Sequence, residues 1–377
     1  MTRWRGILLT LALLAAAAAV DFIMSGPLSR TVAAARLVTA VVRAAPPGPR
    51  AARAADFRVA GRFYRADLYG AAEGKAPLVL VPGAAQGGKD DSRLVSFAAA
   101  LAEAGFHVLV PEIESLKSLR IGPGDIAAIA DAVVHLSGLS GGVPVGLAAI
   151  SYAAGPALLA ALDSRAAAKI AFIAAIGGYY DMTQLVTFVT TGHYRESPAK
   201  PWQSRVPHPY GKFVFTVSNL PNLPDARDRA LFERMVRAKL ANSARDIGPL
   251  VDQLGPPGRA FWALLDNRDP ARVAPLLAAL PDAIRGRLSA LDVSARDLSR
   301  LRARLILIHG RDDSIVPYTE SIALAAAAPP GHARLFLVPE ISHVTLRGAG
   351  IHSAWVMLGA AYALIEERLR LERRATE

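Results

Sequence analysis

Short apolar runs and longer amphipathic segments alternate along residues 56–178 of this chain. Runs such as PLVLVP, VLVP and IAFIAAI are apolar at every position rather than at every second one, which is typical of parallel strands buried on both faces. The segments between these runs space their apolar residues three and four apart, as the buried stripe of a helix requires. The same alternation returns over residues 303–377. The pattern predicts an α/β fold, with a mostly parallel sheet covered by helices on both faces.

Residues 179–302 interrupt this alternation and have no clear sheet pattern. The segments DARDRALFERMVRAKLANSA, PARVAPLLAALPDAI and SARDLSRL have helical spacing, and PAKPWQSRVPHPYGK is a loop rich in proline and aromatic residues. We therefore predict that a helical insertion separates the two halves of one catalytic domain, residues 56–178 and 303–377.

The first 24 residues have the pattern of a targeting segment. Two arginines precede an uncharged apolar run over residues 6–20, which as a helix would span roughly 22 Å of the ~30 Å hydrocarbon core of a bilayer. Ala17 and Ala19 have the small-x-small spacing of a signal-peptidase site. We predict that residues 1–24 are a signal peptide or an uncleaved signal anchor, and that residues 25–55 are a linker. We expect the protein to be membrane-anchored or exported, with its catalytic domain outside the cytoplasm, although the arginines on the two sides of the run do not fix its orientation.

Composition and charge narrow the classes of function. Hydrophobic residues make up 52% of the 377 residues and charged residues 20%, which suits a large folded core. The net charge of +11 comes mainly from arginines scattered singly along the chain, and only 7% of residues are aromatic, so the signature of a nucleic-acid surface is absent. The chain has no cysteine, which excludes disulfides, thiolate catalysis and cysteine-bound metal. We expect no nucleic-acid partner, no cofactor and no metal ion.

A serine lies at a strand-to-helix junction in the segment VGLAAISYAAG. Ser151 follows a predicted buried strand and opens a predicted helix, with the small residues Ala149 and Ala153 two positions before and after it. This arrangement is typical of a nucleophile elbow, a strained turn that requires small neighbours. Alanines stand where glycines are usual in G-x-S-x-G, and on this segment alone Ser151 could equally be the N-cap of a helix.

Two further polar residues follow late strands. Asp313 comes just after the run LILIHG, and His343 comes just after LFLVPE, 30 residues later. The order Ser, Asp, His, with each residue at the carboxyl end of a strand, is that of α/β-hydrolase triads, and such strand ends converge at one edge of a parallel sheet. Asp312 and Asp181 compete with Asp313 for the role of the acid.

These segments resemble the α/β-hydrolase superfamily and, within it, the dienelactone-hydrolase and prolyl-oligopeptidase-like branch. The resemblance covers residues 57–178 and 303–368. It rests on LVLVPGAAQGG, the Ser151 elbow, SHVTL and above all HGRDDSIVP, which matches the pattern HG-x-x-D-x-x-V-P. Counting along that pattern selects Asp313 as the acid.

The resemblance also implies other parts of a site. An oxyanion hole would be made by two backbone N–H groups, which map onto Ala84, after a Pro-Gly turn, and onto Tyr152, after the nucleophile. The insertion at residues 179–302 resembles a cap over the active site, although it could also be an accessory domain remote from the chemistry. As a cap, it would offer candidate aromatic pocket walls from Tyr179, Tyr180, Trp202 and Trp262, although aromatic residues of this kind are more often part of a core.

The leading interpretation of these residues is a serine hydrolase. Ser151 would attack the carbonyl of a small-molecule carboxylic ester, or of an amide, with His343 as general base and Asp313 as the acid that orients it. A covalent acyl-enzyme would form, and water would resolve it. Two alternatives use the same fold. One is a catalytically silent binding protein of the cell envelope, which the Ala-x-Ser-x-Ala elbow favours; the other is an acyltransferase with the same triad.

Overall fold

The structure is a computed structural model. The residues that it describes do not include the predicted signal segment or His343. Within that part, no helix is both long enough and apolar enough to cross a bilayer. The described residues are 27–43, 52–71, 76–339, 341–342, 345–346 and 350–376.

Eight strands form one sheet at the centre of the molecule, in the order β1-β4-β6-β5-β7-β8-β11-β12. The remaining strands form three two-stranded ladders, β2 with β3, β9 with β10 and β13 with β14. The strands are β1 (Ala52–Ala54), β2 (Phe57–Val59), β3 (Arg62–Tyr64), β4 (Ala66–Tyr69), β5 (Ala76–Val81), β6 (Phe106–Pro111), β7 (Val145–Ile150), β8 (Ile170–Ile176), β9 (His193–Tyr194), β10 (Gln203–Ser204), β11 (Arg304–Gly310), β12 (Ala333–Val338), β13 (Ile341–Ser342) and β14 (Thr345–Leu346).

The sheet is parallel from β6 to β12, and only β1 and β4 at one edge run antiparallel to their neighbours. Every residue of β5 and β6 is buried, which explains why their sequences are apolar throughout instead of alternating. Strand β7 lies in the middle, between β5 and β8. This confirms the predicted fold, a mostly parallel sheet of the α/β-hydrolase type.

Helices cover both faces of the sheet. Helices α1, α2 and α14 pack on one face, and α4, α5 and α13 on the other, where the insertion continues the same core. The helices are α1 (Pro27–Arg43), α2 (Ser92–Glu103), α3 (Glu114–Lys117), α4 (Gly124–Leu139), α5 (Ala154–Ala160), α6 (Met182–Thr191), α7 (Pro209–Asn219), α8 (Ala226–Ala241), α9 (Gly248–Val251), α10 (Pro256–Asp266), α11 (Val273–Ala278), α12 (Asp282–Leu291), α13 (Thr319–Ala327) and α14 (Ile351–Thr376).

Two of these elements lie within residues 25–55, which the sequence analysis assigns to a linker. Helix α1 buries Ala34 and Leu37 in the same core as α2 and α14, and strand β1 pairs with β4. The interpretation as a linker is therefore corrected for these residues. Strand β1 is only three residues long and all three are exposed. Because backbone hydrogen bonds hold such an edge strand, it has no apolar sequence pattern from which it could be predicted.

The insertion is mostly helical, but its helices differ in part from the predicted ones. The segment from residue 225 forms α8 as predicted. Pro281 separates α11 from α12, since proline cannot donate the backbone hydrogen bond that a helix interior needs. The segment SARDLSRL forms only a 3₁₀ turn, Leu298–Arg300. The boundaries at residues 179 and 302 and the role of a cap stay predictions.

Candidate functional site

The Ser151 turn joins the central strand β7 to helix α5. Ser151 has a φ of +57°, in the left-handed region where a residue with a Cβ is strained. An N-cap residue has an extended backbone instead, so the turn is that of an elbow. Ala149 and Ala153 are fully buried on either side of it, which explains why both positions are small.

The loop after β5 passes directly against this turn. A Cβ added to Gly83 would lie 3.5 Å from the Cβ of Ser151 and 3.3 Å from the carbonyl oxygen of Ile150. Glycine therefore permits a close approach that a larger residue would hinder. The next residue, Ala84, is buried, and its carbonyl oxygen accepts a hydrogen bond of 2.7 Å from the Tyr210 hydroxyl. Ala84 therefore follows a residue that lies against the Ser151 turn, and Tyr152 follows Ser151 within that turn. The oxyanion hole that they would form stays a prediction.

Asp313 is held inside the loop after β11. Its Oδ1 accepts hydrogen bonds from the backbone N–H groups of Ile315, at 2.8 Å, and Val316, at 2.9 Å. The side chain is fully buried. A carboxylate fixed by two backbone donors has a defined orientation, as the orienting acid of a triad requires.

His309 closes the same loop from the other side. Its Nε2 lies 3.0 Å from the Val316 carbonyl oxygen and 3.4 Å from Oδ2 of Asp313, and its Nδ1 lies 2.7 Å from the Ser321 hydroxyl. Because the carbonyl can only accept, Nε2 carries a proton. His309 therefore fixes the loop from a buried position, and the spacing of the HG-x-x-D-x-x-V-P pattern reflects this closure.

The two competing acids occupy different surroundings. The side chain of Asp312 is 62% exposed and forms an ion pair with Arg205, with 3.2 Å between Nη2 and Oδ1. Asp181 is the N-cap of α6 and accepts from the backbone N–H groups of Thr183, at 2.8 Å, and Gln184, at 3.0 Å. The assignment of the acid stays a prediction, and these contacts give each rival a structural role.

His343, the predicted base, lies outside the described residues. The residues on either side of it pair in an antiparallel ladder, Ser342 with Thr345 and Ile341 with Leu346. This ladder follows β12, the strand next to β11 in the sheet. The general base therefore stays a prediction.

A cavity of about 40 Å³ lies between Tyr152 and the helices of the insertion. The Tyr152 hydroxyl is buried and has no hydrogen-bond partner in the part of the chain that the structure describes. Burial raises the pKa of Tyr152, and the nearby Asp313 carboxylate raises it further. Apolar side chains make up most of the cavity wall. Among its lining residues are Ile121, Tyr179, Met182, Leu185, Val214 and Phe215.

Of the four aromatic residues predicted to form pocket walls, Tyr179 alone is among the residues that line this cavity. Tyr180 and Trp262 are partly buried and pack against the hydrophobic core. The Trp202 ring stacks under the Arg195 guanidinium, 4.2 Å from its carbon. The walls come instead mainly from α6, α7 and α12, whose apolar residues have the same sequence pattern as core residues.

A cluster of carboxylates holds the start of the insertion. Oε2 of the fully buried Glu320 accepts from the backbone N–H groups of Tyr180, at 2.9 Å, and Asp181, at 2.8 Å. Burial raises the pKa of Glu320 to about 8, and the nearby Asp181 and Asp292 carboxylates also raise it against the effect of the two N–H donors. The folded protein therefore holds Glu320 largely protonated at neutral pH.

This shift makes stability depend on pH. Because the pKa of Glu320 is raised on folding, its stabilising contribution is complete below about pH 4.5 and is lost as the pH rises through about 8. In Glu320→Gln, an amide oxygen still accepts both bonds but does not titrate. We expect the free energy of unfolding of the wild type to fall by about 2–5 kcal/mol relative to Glu320→Gln between pH 4.5 and 8. Urea unfolding of both proteins at several pH values measures this, and parallel curves would contradict it.

Two residues of the proline-rich loop also contact the site, and neither was predicted from the sequence. Arg205 bonds to the loop that carries Asp313, and Tyr210 bonds to Ala84. The proline content of the loop is the local signal, since it predicts a stiff segment, but nothing in the sequence says what that segment contacts.

Comparison with known proteins gives distant structural likenesses. No protein-family model matches the chain, and no curated protein matches it. A membrane phospholipase A, a bacterial virulence factor, is 16% identical with a TM-score of 0.44, over 96% of this chain and 99% of that one. A 2-hydroxy-6-oxo-6-phenylhexa-2,4-dienoate hydrolase from Rhodococcus sp. strain RHA1 is 16% identical with a TM-score of 0.40, over 85% and 99%. Likenesses at these TM-scores carry no argument about activity, which has to come from the site itself.

Proposed function

We propose that this protein is a serine hydrolase that cleaves a small-molecule carboxylic ester through an acyl-enzyme on Ser151. The observation that carries the proposal is the left-handed backbone of Ser151, with a φ of +57°, at the end of the central strand. Such strain costs about 1–3 kcal/mol and persists where function requires it. It favours an active enzyme over a silent binding protein, which would have no use for the strain.

The proposed reaction assigns one role to each residue. His343 removes the proton from the Ser151 hydroxyl while the hydroxyl oxygen attacks the carbonyl carbon. The protonated His343 then gives this proton to the leaving oxygen of the tetrahedral intermediate as the C–O bond breaks, so that a neutral alcohol leaves. The N–H groups of Ala84 and Tyr152 stabilise the negative oxygen of the tetrahedral intermediate, an effect worth about 3–4 kcal/mol per donor in comparable sites. Water, activated by the same base, then releases the acid and restores Ser151.

Labelling with a fluorophosphonate probe tests the proposal directly. The probe phosphonylates a serine that a base has activated, so the wild type should be labelled at Ser151, as peptide mapping by mass spectrometry would identify. Kinetics on p-nitrophenyl esters and on aminoacyl anilides would then separate esterase from amidase. A folded wild type that is neither labelled nor active on either series would overturn the proposal. The spacing from His309 to Pro317 supports our further proposal that the chain belongs to the dienelactone-hydrolase and prolyl-oligopeptidase-like branch.

We propose that the cavity beside Tyr152 binds the acyl group, because Tyr152 directly follows the nucleophile and also lines the cavity. A volume of about 40 Å³ suits a short apolar chain. Leu185 lines the wall, and Leu185→Val removes one methylene from it. Since a buried methylene contributes about 0.8 kcal/mol, we expect the ratio of kcat/KM for p-nitrophenyl hexanoate over butyrate to rise about threefold to fivefold.

A matched control separates this effect from general loosening of the insertion. Leu231 is a buried leucine of α8 that is not among the lining residues of the cavity. Leu231→Val should leave the ratio of the two kcat/KM values at its wild-type value. Equal ratios in the wild type and in Leu185→Val would show that the acyl group binds elsewhere.

We also propose that residues 1–24 attach the protein to a membrane or direct its export. The apolar run over residues 6–20 supports this. The protein expressed from Met1 should sediment with membranes or be found outside the cytoplasm with a shortened N-terminus, whereas a chain that starts at Ser25 and keeps α1 should remain in the soluble fraction. Fractionation with N-terminal sequencing checks this, and an unprocessed full-length protein in the cytosol would contradict it.

A further inference from the structure

We propose that residues 205–211 of the insertion form a strap that positions two parts of the catalytic machinery at once, with Arg205 and Tyr210 as its positioning residues. The proposal rests on the proposed function, because it concerns the loops that carry the acid and the oxyanion hole. It assigns the insertion a role beyond covering the site: the insertion holds the catalytic loops in place.

The first end of the strap forms hydrogen bonds with the loop that carries Asp313. Nη1 of Arg205 donates to the carbonyl oxygens of Arg311, at 2.7 Å, and Asp313, at 3.2 Å, while Nη2 contacts the Asp312 carboxylate at 3.2 Å. The forked guanidinium thus bonds to three consecutive residues through two nitrogens held in a fixed plane, a geometry that the single nitrogen of an ammonium group does not reproduce. Three residues further on, the backbone N–H of His208 donates to the carbonyl oxygen of Ser314 at 2.7 Å.

The second end of the strap holds the oxyanion loop. The Tyr210 hydroxyl donates to the carbonyl oxygen of Ala84 at 2.7 Å. Next to it, a Cβ added to Gly211 would lie 3.5 Å from the Tyr152 hydroxyl oxygen and 3.6 Å from the carbonyl oxygen of Ile315. Within seven residues, the chain therefore bonds to the acid loop and to Ala84 and passes close to Tyr152.

The sequence of the strap, RVPHPYG, makes it stiff. Pro207 and Pro209 each fix a φ angle, and Pro209 is the first residue of α7, where a missing N–H costs nothing. His208 caps the helix by accepting from the N–H of Tyr210 at 3.1 Å. The orientation of Tyr210 relative to Arg205 is thus restricted before either makes its contact, so less entropy is lost when both contacts form.

The contacts predict different effects at the two ends. Tyr210→Phe removes one hydroxyl and releases Ala84, so the loss should fall on transition-state stabilisation: we expect kcat on p-nitrophenyl butyrate to fall about 5- to 10-fold, with KM within a factor of two. The affinity for a boronic acid, which mimics the tetrahedral intermediate, should fall by a similar factor. A merely structural role would not change kcat and inhibitor affinity together while leaving KM unchanged.

Arg205→Lys keeps the positive charge but loses the forked guanidinium. It therefore tests whether the position of Asp313 matters while a positive charge remains on the side chain at residue 205. A displaced Asp313 stabilises the protonated base less, so the acidic limb of the pH profile of kcat/KM should move to lower pH. We expect kcat to fall about 10-fold and the rate of fluorophosphonate labelling to fall with it. Thermal melts of each variant ensure that only folded protein is compared.

Two matched variants serve as controls. Arg237→Lys changes an exposed arginine of α8, which pairs only loosely with Glu233 at 3.8 Å. Tyr318→Phe removes another hydroxyl that links the insertion to the body of the protein, through Glu196 at 3.3 Å. Both should stay within a factor of two of the wild type in kcat and labelling rate.

The outcomes separate the strap from the proposed function. If the wild type is labelled and Tyr210→Phe and Arg205→Lys keep wild-type kcat, boronic-acid affinity and pH profile, the strap is overturned while the hydrolase stands. If both variants only raise KM, the segment contacts substrate and the positioning role is also overturned. A wild type that is neither labelled nor active would overturn the proposed function and, with it, the catalytic role of the strap.

Discussion

Ser151→Ala is expected to abolish ester hydrolysis while leaving the fold intact. Removal of the nucleophile in a comparable triad lowers kcat by about 10⁶-fold, and the residual rate comes from binding and the oxyanion hole. Alanine has the same Cβ and suffers the same strain at a φ of +57°, so the melting temperature should change little. Initial rates on the best wild-type ester, together with thermal melts, measure both effects.

A second serine provides the control for this experiment. Ser96 lies on α2, and its hydroxyl donates to the carbonyl oxygen of Ser92 at 2.8 Å, an ordinary helical contact. Ser96→Ala should retain wild-type kcat and wild-type labelling. Turnover by a folded Ser151→Ala protein at more than about a hundredth of the wild-type rate would remove Ser151 from the role of nucleophile, because no other group is proposed to form the acyl-enzyme.

Asp313→Asn should lower kcat by up to about 10⁴-fold, the next largest effect. Its amide oxygen can still accept from the N–H groups of Ile315 and Val316, whereas its amide nitrogen replaces Oδ2 beside Nε2 of His309, so thermal melts have to accompany the rates. The amide nitrogen would then face the base as a donor, which favours the wrong tautomer of the imidazole and removes the charge that stabilises its protonated form. Steady-state kinetics across the pH range measure the loss.

The two rival aspartates are the natural comparisons. Asp312→Asn weakens an exposed ion pair, and such pairs contribute about 0–1 kcal/mol. Asp181→Asn keeps a good N-cap for α6, since asparagine caps helices as well as aspartate does. Both variants should remain within tenfold of wild-type kcat. If Asp313→Asn stays within tenfold while one of them loses activity, the acid has been assigned to the wrong residue.

The parts of the site that could be predicted from sequence are those fixed by local constraints. The strands around Ser151 are buried on both faces, so their apolar runs are uninterrupted. The alanines on either side of Ser151 indicate a tight turn, because such a turn requires small neighbours. The distance along the chain from His309 to Val316 is set by the closure of one loop, in which His309 and Asp313 both bond to Val316. A fixed spacing of this kind is visible in a single sequence.

The parts that could not be predicted depend on contacts between distant positions. Arg205 meets Asp313 across 108 residues, and Tyr210 meets Ala84 across 126. Nothing in the local sequence around Arg205 or Tyr210 indicates which residue its side chain contacts. The insertion illustrates the same limit, because helical spacing predicts that residues such as Leu185 are buried but does not say whether they face a core or a cavity.

The left-handed backbone at Ser151 determines which residue would be most stable at this position. Glycine is the residue that adopts such a φ without steric cost, so a change from serine to glycine would relieve strain of about 1–2 kcal/mol. Domains of this kind are stable by only about 5–15 kcal/mol. Stability alone would therefore favour glycine at this position. The chain carries serine there, so its hydroxyl group comes at the expense of folding stability.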